Sequence, residues 1–280
     1  MADIGFVHTA DSVTAQPLFY DFSFALGAHT IIPVWGDSQY GPPDTSLRDQ
    51  VIDQLLPDKV KVIVAAGGLT CGQAVVQAVD KFEHDNKVRI DIPILFLGDK
   101  NIPHKNVWGG IILRMQAHHP HRKQALEDMG ANRVGLLVNL NAAVGRDEDK
   151  DWEHQGWPDE PVGGAGTDNG SINLAGALDD LVNVQGVDGI VVASDPYFTS
   201  LREELVDSLN KRDRVTAVCY PFDIYRDGLP DRAKSICYGI RLSGPTGVYH
   251  DLAGLAIKVL AGDANKTVIT VDSQRLSNWP

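Results

Sequence analysis

The sequence predicts an α/β protein built from two Rossmann-like lobes with parallel β-sheets. Short apolar or β-branched runs alternate with amphipathic stretches along most of the 280 residues. Alternation at this spacing is typical of parallel sheets covered on both faces by helices. The succession of strands and helices also occurs twice, first over 3–113 and again over 133–240. Two similar lobes are therefore expected, with a ligand cleft between them facing the carboxyl ends of the strands.

The first series contains the elements of an N-terminal lobe. Its strands are predicted where short runs are rich in Val, Ile and other apolar residues, at 3–9, 29–35, 60–66, 92–98 and 107–113. Its helices are predicted where apolar residues recur with helical spacing, at 46–56 and 72–85.

The second series repeats this arrangement. Its strands are predicted at 133–140, 188–194, 215–221 and 235–240, and its helices at 120–130, 173–182 and 200–209. A last helix at 249–262 and a last strand at 266–272 pack most economically on the first lobe. The predicted boundaries are 1–114 for the N-terminal lobe, 115–240 for the C-terminal lobe and 241–280 for the returning helix and strand.

One segment, 145–170, interrupts the pattern because it is dense in Asp, Glu, Gly and Pro. Most of it is predicted to be a loop. A loop of this length inside a compact domain is uncommon, so it is expected to be either a functional flap or partly disordered. Trp152 and Trp157 within it are expected to cover apolar surface or to close over a ligand.

Composition excludes several classes of function. A net charge of -12 argues against a nucleic-acid partner, because binding phosphates requires a basic face. Three cysteines are too few for a disulfide framework. No apolar run approaches the ~20 residues of a membrane-spanning helix. The first residues carry no signal segment, so the protein is expected in the cytoplasm if Met1 is the native start, or in the periplasm if a leader was removed.

The turn that follows the strand at 60–66 is the first candidate binding element. It reads Gly67-Gly68-Leu69-Thr70-Cys71-Gly72 and leads directly into a helix. Its spacing matches neither the dinucleotide fingerprint nor a P-loop. A helix N-terminus with free backbone N–H groups and the Thr70 hydroxyl remains, which is an anion site suited to a carboxylate. The alternative is a simple helix cap in which glycine serves only the turn geometry.

Other predicted strands also end in polar or aromatic residues. These residues include His8, Thr9, Asp99, Asn139, Asp195, Tyr197, Tyr220 and Phe222. Each alone is an ordinary turn residue or cap. Together they predict a cleft with carboxylates, hydroxyls and an aromatic wall.

Several stretches resemble a known family when they are taken in order. VKVIVAAGGLTCGQAVVQAV, IPILFLGDKN, RVGLLVNLNA, DGIVVASDPYFTSLREELVD and VTAVCYPFDIYRDG are similar to the ABC-transporter substrate-binding proteins of the type I periplasmic-binding fold. The similarity is greatest to the branch associated with aromatic amino acids and related small solutes. It implies a bilobed receptor that closes on a small solute by hinge motion, with an ABC permease as a possible partner.

The resemblance also implies roles for the candidate residues. In amino-acid binders of this fold the first lobe holds the ligand carboxylate, which corresponds here to Gly68, Thr70 and Cys71. The ammonium meets an acid, which corresponds to Asp195 with help from Asp99. The aromatic wall would be formed by Tyr197, Tyr220 and Phe222, whereas His8 and Asn139 would complete the hydrogen bonds.

Two further functions compete with solute uptake. Cys71 at a helix N-terminus could act as the nucleophile or base of a cofactor-independent racemase or isomerase, provided that a second cysteine faces it. Cys219 and Cys237 lie in apolar strands, where an inert thiol is expected. The same fold could also serve as a cytoplasmic small-molecule sensor module.

No cofactor and no metal are expected. The stretch AHHPHRK contains His118, His119 and His121, but their spacing matches no common zinc pattern. We expect it to be a basic, solvated helix start. A monomer or a weak dimer is the expected state of association.

Overall fold

The structure of the protein is a computed structural model. The structure describes residues 2–36, 45–113, 118–141, 143–157, 160–164, 173–195, 197–198, 201–212, 215–219, 236–239, 247–263 and 266–271. Among these residues, no helix is both long and apolar enough to cross a membrane. The chain divides into two compact units: unit 1 comprises Met1–Arg114 and Leu242–Val271, and unit 2 comprises Met115–Arg241 and Asp272–Pro280.

The strands, in chain order, are β1 (Ala2–His8), β2 (Ile31–Trp35), β3 (Val60–Ala65), β4 (Ile94–Gly98), β5 (Val107–Leu113), β6 (Val134–Val138), β7 (Val162–Gly164), β8 (Gly189–Val192), β9 (Thr216–Cys219), β10 (Ile236–Gly239) and β11 (Thr267–Val271). The helices are α1 (Gln16–Leu26), α2 (Thr45–Leu55), α3 (Gly68–Asn86), α4 (His119–Asp128), α5 (Ala143–His154), α6 (Leu174–Asp179) with a π-helical turn at Asp180–Val184, α7 (Arg202–Asn210) and α8 (Val248–Leu260).

Unit 1 is a parallel sheet with the strand order β11-β5-β4-β3-β1-β2. The buried strands β3 and β4 are almost continuously apolar, as expected for strands covered on both faces. The last helix and strand belong to this unit, since β11 pairs with β5 and α8 packs against α1.

Unit 2 is a second parallel sheet, with the order β10-β9-β8-β6-β7. Its core is built from the apolar strands β6 and β8 together with Leu174, Leu178 and Leu205 from the helices around them. The prediction of an α/β protein with parallel sheets is confirmed by both units.

The prediction that 145–170 is mostly a loop is wrong for its described part. Helix α5 covers Ala143–His154, and the short strand β7 pairs with β6. Glu148 and Trp152 lie four residues apart and are both buried, so α5 has one inward face although most of its residues are charged. Trp152 belongs to the core of unit 2 and packs edge-on against Trp157, with ring centroids 4.9 Å apart.

Helix α1 was not among the predicted elements. Its inward face is formed by Leu18, Phe22 and Leu26, which recur every four residues and are buried. Tyr20 and Phe24 on the opposite face are exposed, and this all-round apolar character hides the helical period.

Candidate functional site

The strand order of each sheet creates a crevice at one place. In unit 1 the chain goes from β1 to β2 on one side and then to β3 on the other. In unit 2 it goes from β6 to β7 and then to β8. The connections diverge where the order reverses, and ligands of open parallel sheets bind at this topological switch point, outside the carboxyl ends of the strands. We call these places the unit 1 switch point (ends of β1 and β3) and the unit 2 switch point (ends of β6 and β8).

The register of the strands makes the two switch points equivalent residue by residue. Val7 pairs with Ala65 in unit 1, as Leu137 pairs with Val192 in unit 2. Thr9 lies two residues after Val7, and Asn139 lies two residues after Leu137, so these two positions correspond. Gly68 lies three residues after Ala65, and Asp195 lies three residues after Val192, so these two correspond as well. Four sequence-predicted site residues therefore occupy corresponding positions in the two units.

Close backbone packing fixes the unit 1 switch point. A Cβ atom on Gly36 would lie 2.3 Å from the Thr9 carbonyl oxygen, and one on Gly67 would lie 2.4 Å from the Thr9 nitrogen. Both distances are shorter than any real Cβ contact, so only glycine fits at these two positions. The Thr9 hydroxyl donates a hydrogen bond to the Gly67 carbonyl oxygen at 3.0 Å. This packing holds Thr9 between the ends of β2 and β3.

The N-terminus of α3 is the second component of the unit 1 switch point. Gly67 is its N-cap residue, no side chain caps the helix, and its first turn contains no acidic residue. Gly68, with φ of +85°, would have open space in front of a Cβ atom, and Gly68 and Thr70 are half-buried. Backbone N–H groups at the start of a helix favour an anion. An uncapped helix start of this kind can hold an anion beside the Thr70 hydroxyl.

Cys71 lies behind this turn, in the core of unit 1. Its side chain is fully buried, and its Sγ donates to the Val7 carbonyl oxygen at 3.2 Å. Burial raises the pKa of the Cys71 thiol to about 12, although backbone hydrogen bonds from Gly67 and Ala66 oppose the shift. A nucleophilic cysteine requires a low pKa and access to its substrate. The geometry of Cys71 is that of a structural thiol, and it gives no support to the isomerase hypothesis.

His8 and Asp99 complete the unit 1 edge. His8 is buried, and its Nδ1 accepts a hydrogen bond from the Ala10 backbone at 3.0 Å. Burial lowers the pKa of His8 to about 4, so the ring is neutral at pH 7 and its Nε2 carries the proton as a donor. Asp99 directly follows β4 and is half-buried. The neighbouring Gly98 approaches the start of α3, because a Cβ there would lie 3.4 Å from the Leu69 nitrogen.

The unit 2 switch point presents a buried carboxylate. Asp195 is 4% exposed, and its Oδ1 accepts from the Tyr197 backbone N–H at 2.8 Å. Burial raises the pKa of Asp195 to about 6, whereas hydrogen bonds from Tyr197 and from the Asn139 side chain oppose the shift. Within the described part of the chain, no group donates a hydrogen bond to Oδ2 of Asp195. Among the described residues, this oxygen is therefore an unsatisfied acceptor.

The predicted aromatic wall is described only in part. Tyr197 belongs to the core cluster of unit 2 and packs edge-on against Phe198, with centroids 5.6 Å apart. Tyr220 and Phe222 lie outside the described residues.

The expectation of a solvated basic helix start at 118–121 is wrong. His118 and His119 are buried, whereas His121 is exposed. Arg122, one turn along α4, is also buried. Burial lowers the pKa of His119 to about 2, and its ring packs edge-on against Trp152 at 5.4 Å. Among the described residues, no group of three metal-binding side chains was found.

Two buried polar residues near Asp195, namely Arg122 and Glu148, were not predicted as site residues. Ser194, which ends the predicted strand at 188–194, is partly buried beside them. The available signal was helical spacing, since Arg122 lies four residues before the buried Leu126 and Glu148 four residues before the buried Trp152.

No protein-family model and no curated protein matches this chain. Many solved structures do match. The ABC domain from Streptococcus pneumonia in complex with L-Trp is 14% identical with a TM-score of 0.63, over 96% of this chain and 89% of that one. An ABC transporter solute-binding protein from Burkholderia graminis in complex with D-arabinose is 12% identical with a TM-score of 0.62, over 99% of this chain and 97% of that one. The transcriptional regulator CelR in complex with cellobiose is 13% identical with a TM-score of 0.62, over 96% and 81%.

These similarities establish the fold. The chain has the type I periplasmic-binding fold, as its sequence predicts. Structures that share this fold include solute-binding proteins of transport systems and transcriptional regulators.

Proposed function

We propose that the chain is a solute-binding protein for a small amino-acid-like ligand that carries both a carboxylate and a protonated amine. One observation supports this proposal most strongly. The two switch points occupy corresponding places in the two units, but the first favours an anion and the second favours a cation. The unit 1 position, Gly68, begins a helix whose backbone N–H groups favour an anion. The corresponding unit 2 position, Asp195, presents a buried carboxylate oxygen that favours a cation. A ligand with a carboxylate and a protonated amine carries one group that suits each of these positions.

The neutral groups of the site fit the same ligand. The Thr70 hydroxyl and the Nε2–H of His8 donate to a carboxylate, and Asn139 adds an amide beside Asp195. Asp99 remains our candidate for a second contact with the amine. An apolar or aromatic ligand side chain would pack on Tyr197, Tyr220 and Phe222, as the resemblance implies.

Within this proposal we favour the receptor of an ABC-type uptake system, located in the periplasm and delivering its solute to a permease. Solved structures of transporter binding proteins with the same fold support this choice. A cytoplasmic sensor is the second candidate, because transcriptional regulators such as CelR also share the fold. Cell fractionation separates the two, since a periplasmic pool supports the receptor and a cytoplasmic pool supports the sensor.

A thermal-shift screen tests the ligand class directly. The panel contains L-amino acids, their decarboxylated amines, their deaminated acids, D-arabinose and cellobiose. A ligand at 100 times its Kd adds about 2.7 kcal/mol to the free energy of unfolding, which raises Tm measurably. We expect the amino acid to shift Tm more than the corresponding amine or acid. A shift by a sugar alone would overturn the proposal.

Substitution then assigns the two ends of the ligand. We expect Thr70→Ala to weaken the amino acid and its deaminated acid alike, because both contain the carboxylate. Asp195→Ala should weaken the amino acid and its decarboxylated amine. Asp58→Ala is the control, because Asp58 is exposed and lies in the turn before β3. Unchanged affinities in both site variants would exclude the switch points as the binding site.

A further inference from the structure

A buried ion pair lies behind the unit 2 switch point. Arg122 comes from the first part of α4, and Glu148 comes from α5. Arg122 is 0% exposed and Glu148 is 3% exposed, and Nη2 of the first lies 3.6 Å from Oε2 of the second. Burying a carboxylate and a guanidinium carries a large desolvation cost, and apolar side chains of similar volume are often at least as stabilising. The pair therefore needs a reason beyond stability.

The contacts of the pair show what it holds. Oε1 of Glu148 accepts a hydrogen bond from the Ser194 backbone N–H at 2.9 Å and also accepts one from the Ser194 hydroxyl. Nη1 of Arg122 donates to the Val192 carbonyl oxygen at 3.3 Å. Val192 is the last residue of β8, and Ser194 immediately precedes Asp195. The pair thus fixes the backbone on which Asp195 is carried.

Unit 1 shows that the fold itself does not require such a pair. At its equivalent strand end, the hydroxyl of Tyr249 donates to the Ala66 carbonyl oxygen at 2.7 Å. Tyr249 lies at the start of α8 and is buried. A neutral hydroxyl therefore holds the end of β3, whereas unit 2 uses two charges. The unit that uses the ion pair is also the unit that has a buried carboxylate, Asp195, at this position. The unit that uses a hydroxyl has Gly68 there, which carries no side chain.

We propose that Arg122 and Glu148 form a clamp that positions Asp195 and so makes the unit 2 switch point selective for a protonated amine. Both are positioning residues, because they act through Ser194 and Val192. The inference rests on the proposed function, in which Asp195 receives the amine of the ligand. The two carboxylates also interact electrostatically: burial raises the pKa of Glu148, and the charge of Asp195 adds to the shift, while Arg122 and the Ser194 N–H oppose it.

The clamp predicts a loss of selectivity, which a purely structural role does not. The probes are L-phenylalanine and 3-phenylpropionate, which differ by the amino group alone. In Glu148→Ala the Kd of L-phenylalanine should rise about tenfold, the size of a lost charged hydrogen bond, whereas the Kd of 3-phenylpropionate should stay within about twofold. Glu148→Gln keeps an oxygen for Ser194 and should bind L-phenylalanine within about threefold of the natural chain. Glu153→Ala is the matched control, because Glu153 lies exposed on the same helix.

Hydrogen exchange supplies a readout without ligand. The Tyr197 amide is bonded to Asp195, so its exchange reports whether Asp195 keeps its position. We expect it to exchange about tenfold faster in Glu148→Ala and at the natural rate in Glu148→Gln and Glu153→Ala. Equal weakening of both probes, or no change in the Tyr197 amide, overturns the clamp. If the natural chain binds neither probe, this proposed ligand class fails for aromatic amino acids, and the Tyr197 amide alone then decides the clamp.

Discussion

A buried carboxylate such as Asp195 destabilises the folded chain whenever it is ionised. The pKa of Asp195 rises from 3.8 to about 6 on burial, so the folded state binds a proton more tightly than the unfolded state. The destabilisation is absent below about pH 4, develops as the pH rises towards 6 and is complete above it. This rise in the pKa corresponds to about 3 kcal/mol in the free energy of unfolding. A residue retained at this cost is a strong candidate for function.

Replacing this residue should therefore stabilise the protein. We expect Asp195→Asn to increase the free energy of unfolding by about 1–3 kcal/mol at pH 8, because the charge is removed while an oxygen remains for the Tyr197 N–H. At pH 4 the variant and the natural chain should be equally stable. Urea denaturation at both pH values measures the difference. Equal stability at pH 8 would show that the Asp195 charge is already compensated.

At the scale of elements, glycine is required where the strand ends of unit 1 meet. Gly67→Ala should cost about 2–4 kcal/mol, because the new methyl group would collide with the Thr9 backbone, which has no room to move between β2 and β3. Gly254→Ala is the matched control. Gly254 lies inside α8 with nothing within 4 Å of a Cβ atom, so alanine there should add about 0.5–1 kcal/mol through helix propensity.

Chemical denaturation of the two glycine variants measures both effects. A Gly67→Ala variant as stable as the natural chain would show that the β1 and β3 ends are not locked together. In that case the unit 1 switch point would lose its rigid base.

The elements predicted from the sequence are those in which the order of apolar and polar residues directly reflects which residues are buried. Every predicted strand is present, because strands buried on both faces are apolar throughout and need no partner to be recognised. The two missed helices violate the expected amphipathic pattern in opposite ways. Helix α1 carries Tyr20 and Phe24 on its outer face, and α5 is charged around Glu148 and Trp152.

The parts of the candidate site that depend on strand order were predicted from the sequence, and the parts that depend on tertiary packing were not. Asn139 and Asp195 follow apolar strands, and the carboxyl ends of neighbouring parallel strands meet at one edge of the sheet, so sequence order alone brings them together. The contact between Arg122 and Glu148 joins two helices and has no counterpart in local spacing. The burial of Cys71 beneath the turn also depends on how α3 packs against β1. Such features follow from tertiary packing and were therefore not predicted.

At the scale of the whole molecule, acid should destabilise unit 1 more than unit 2. In unit 1, burial lowers the pKa of His8 from 6.5 to about 4, so the stability that its neutral form provides is lost as the pH falls from about 6.5 towards 4. In unit 2, burial lowers the pKa of His119 to about 2, which also costs stability as the pH falls, but the raised pKa of Asp195 increases stability over nearly the same range and opposes that loss. Each unit has its own core, which allows the two effects to be observed separately.

Hydrogen exchange at pH 7 and pH 4.5 tests this contrast. After correction for the intrinsic pH dependence of exchange, the amides of β1 and β3 should lose protection at pH 4.5, whereas those of β6 and β8 should change less, because the effects of His119 and Asp195 oppose each other. The variant His8→Gln should remove the loss in unit 1 and leave unit 2 unchanged. Equal losses in both units would contradict the assignment of these pKa shifts as the main source of pH sensitivity.

The pairing of β11 with β5 also sets the order in which the ribosome can complete the molecule. Unit 1 is begun first, but its outermost strand and the helix that packs on α1 are translated only after strands β6 to β10 of unit 2. During that interval the edge of β5 that pairs with β11 is open. The Ala66 carbonyl oxygen also lacks the hydrogen bond that the Tyr249 hydroxyl donates to it in the complete unit. The sheet of unit 1 is therefore completed later than the sheet of unit 2, although its first strand is made earlier.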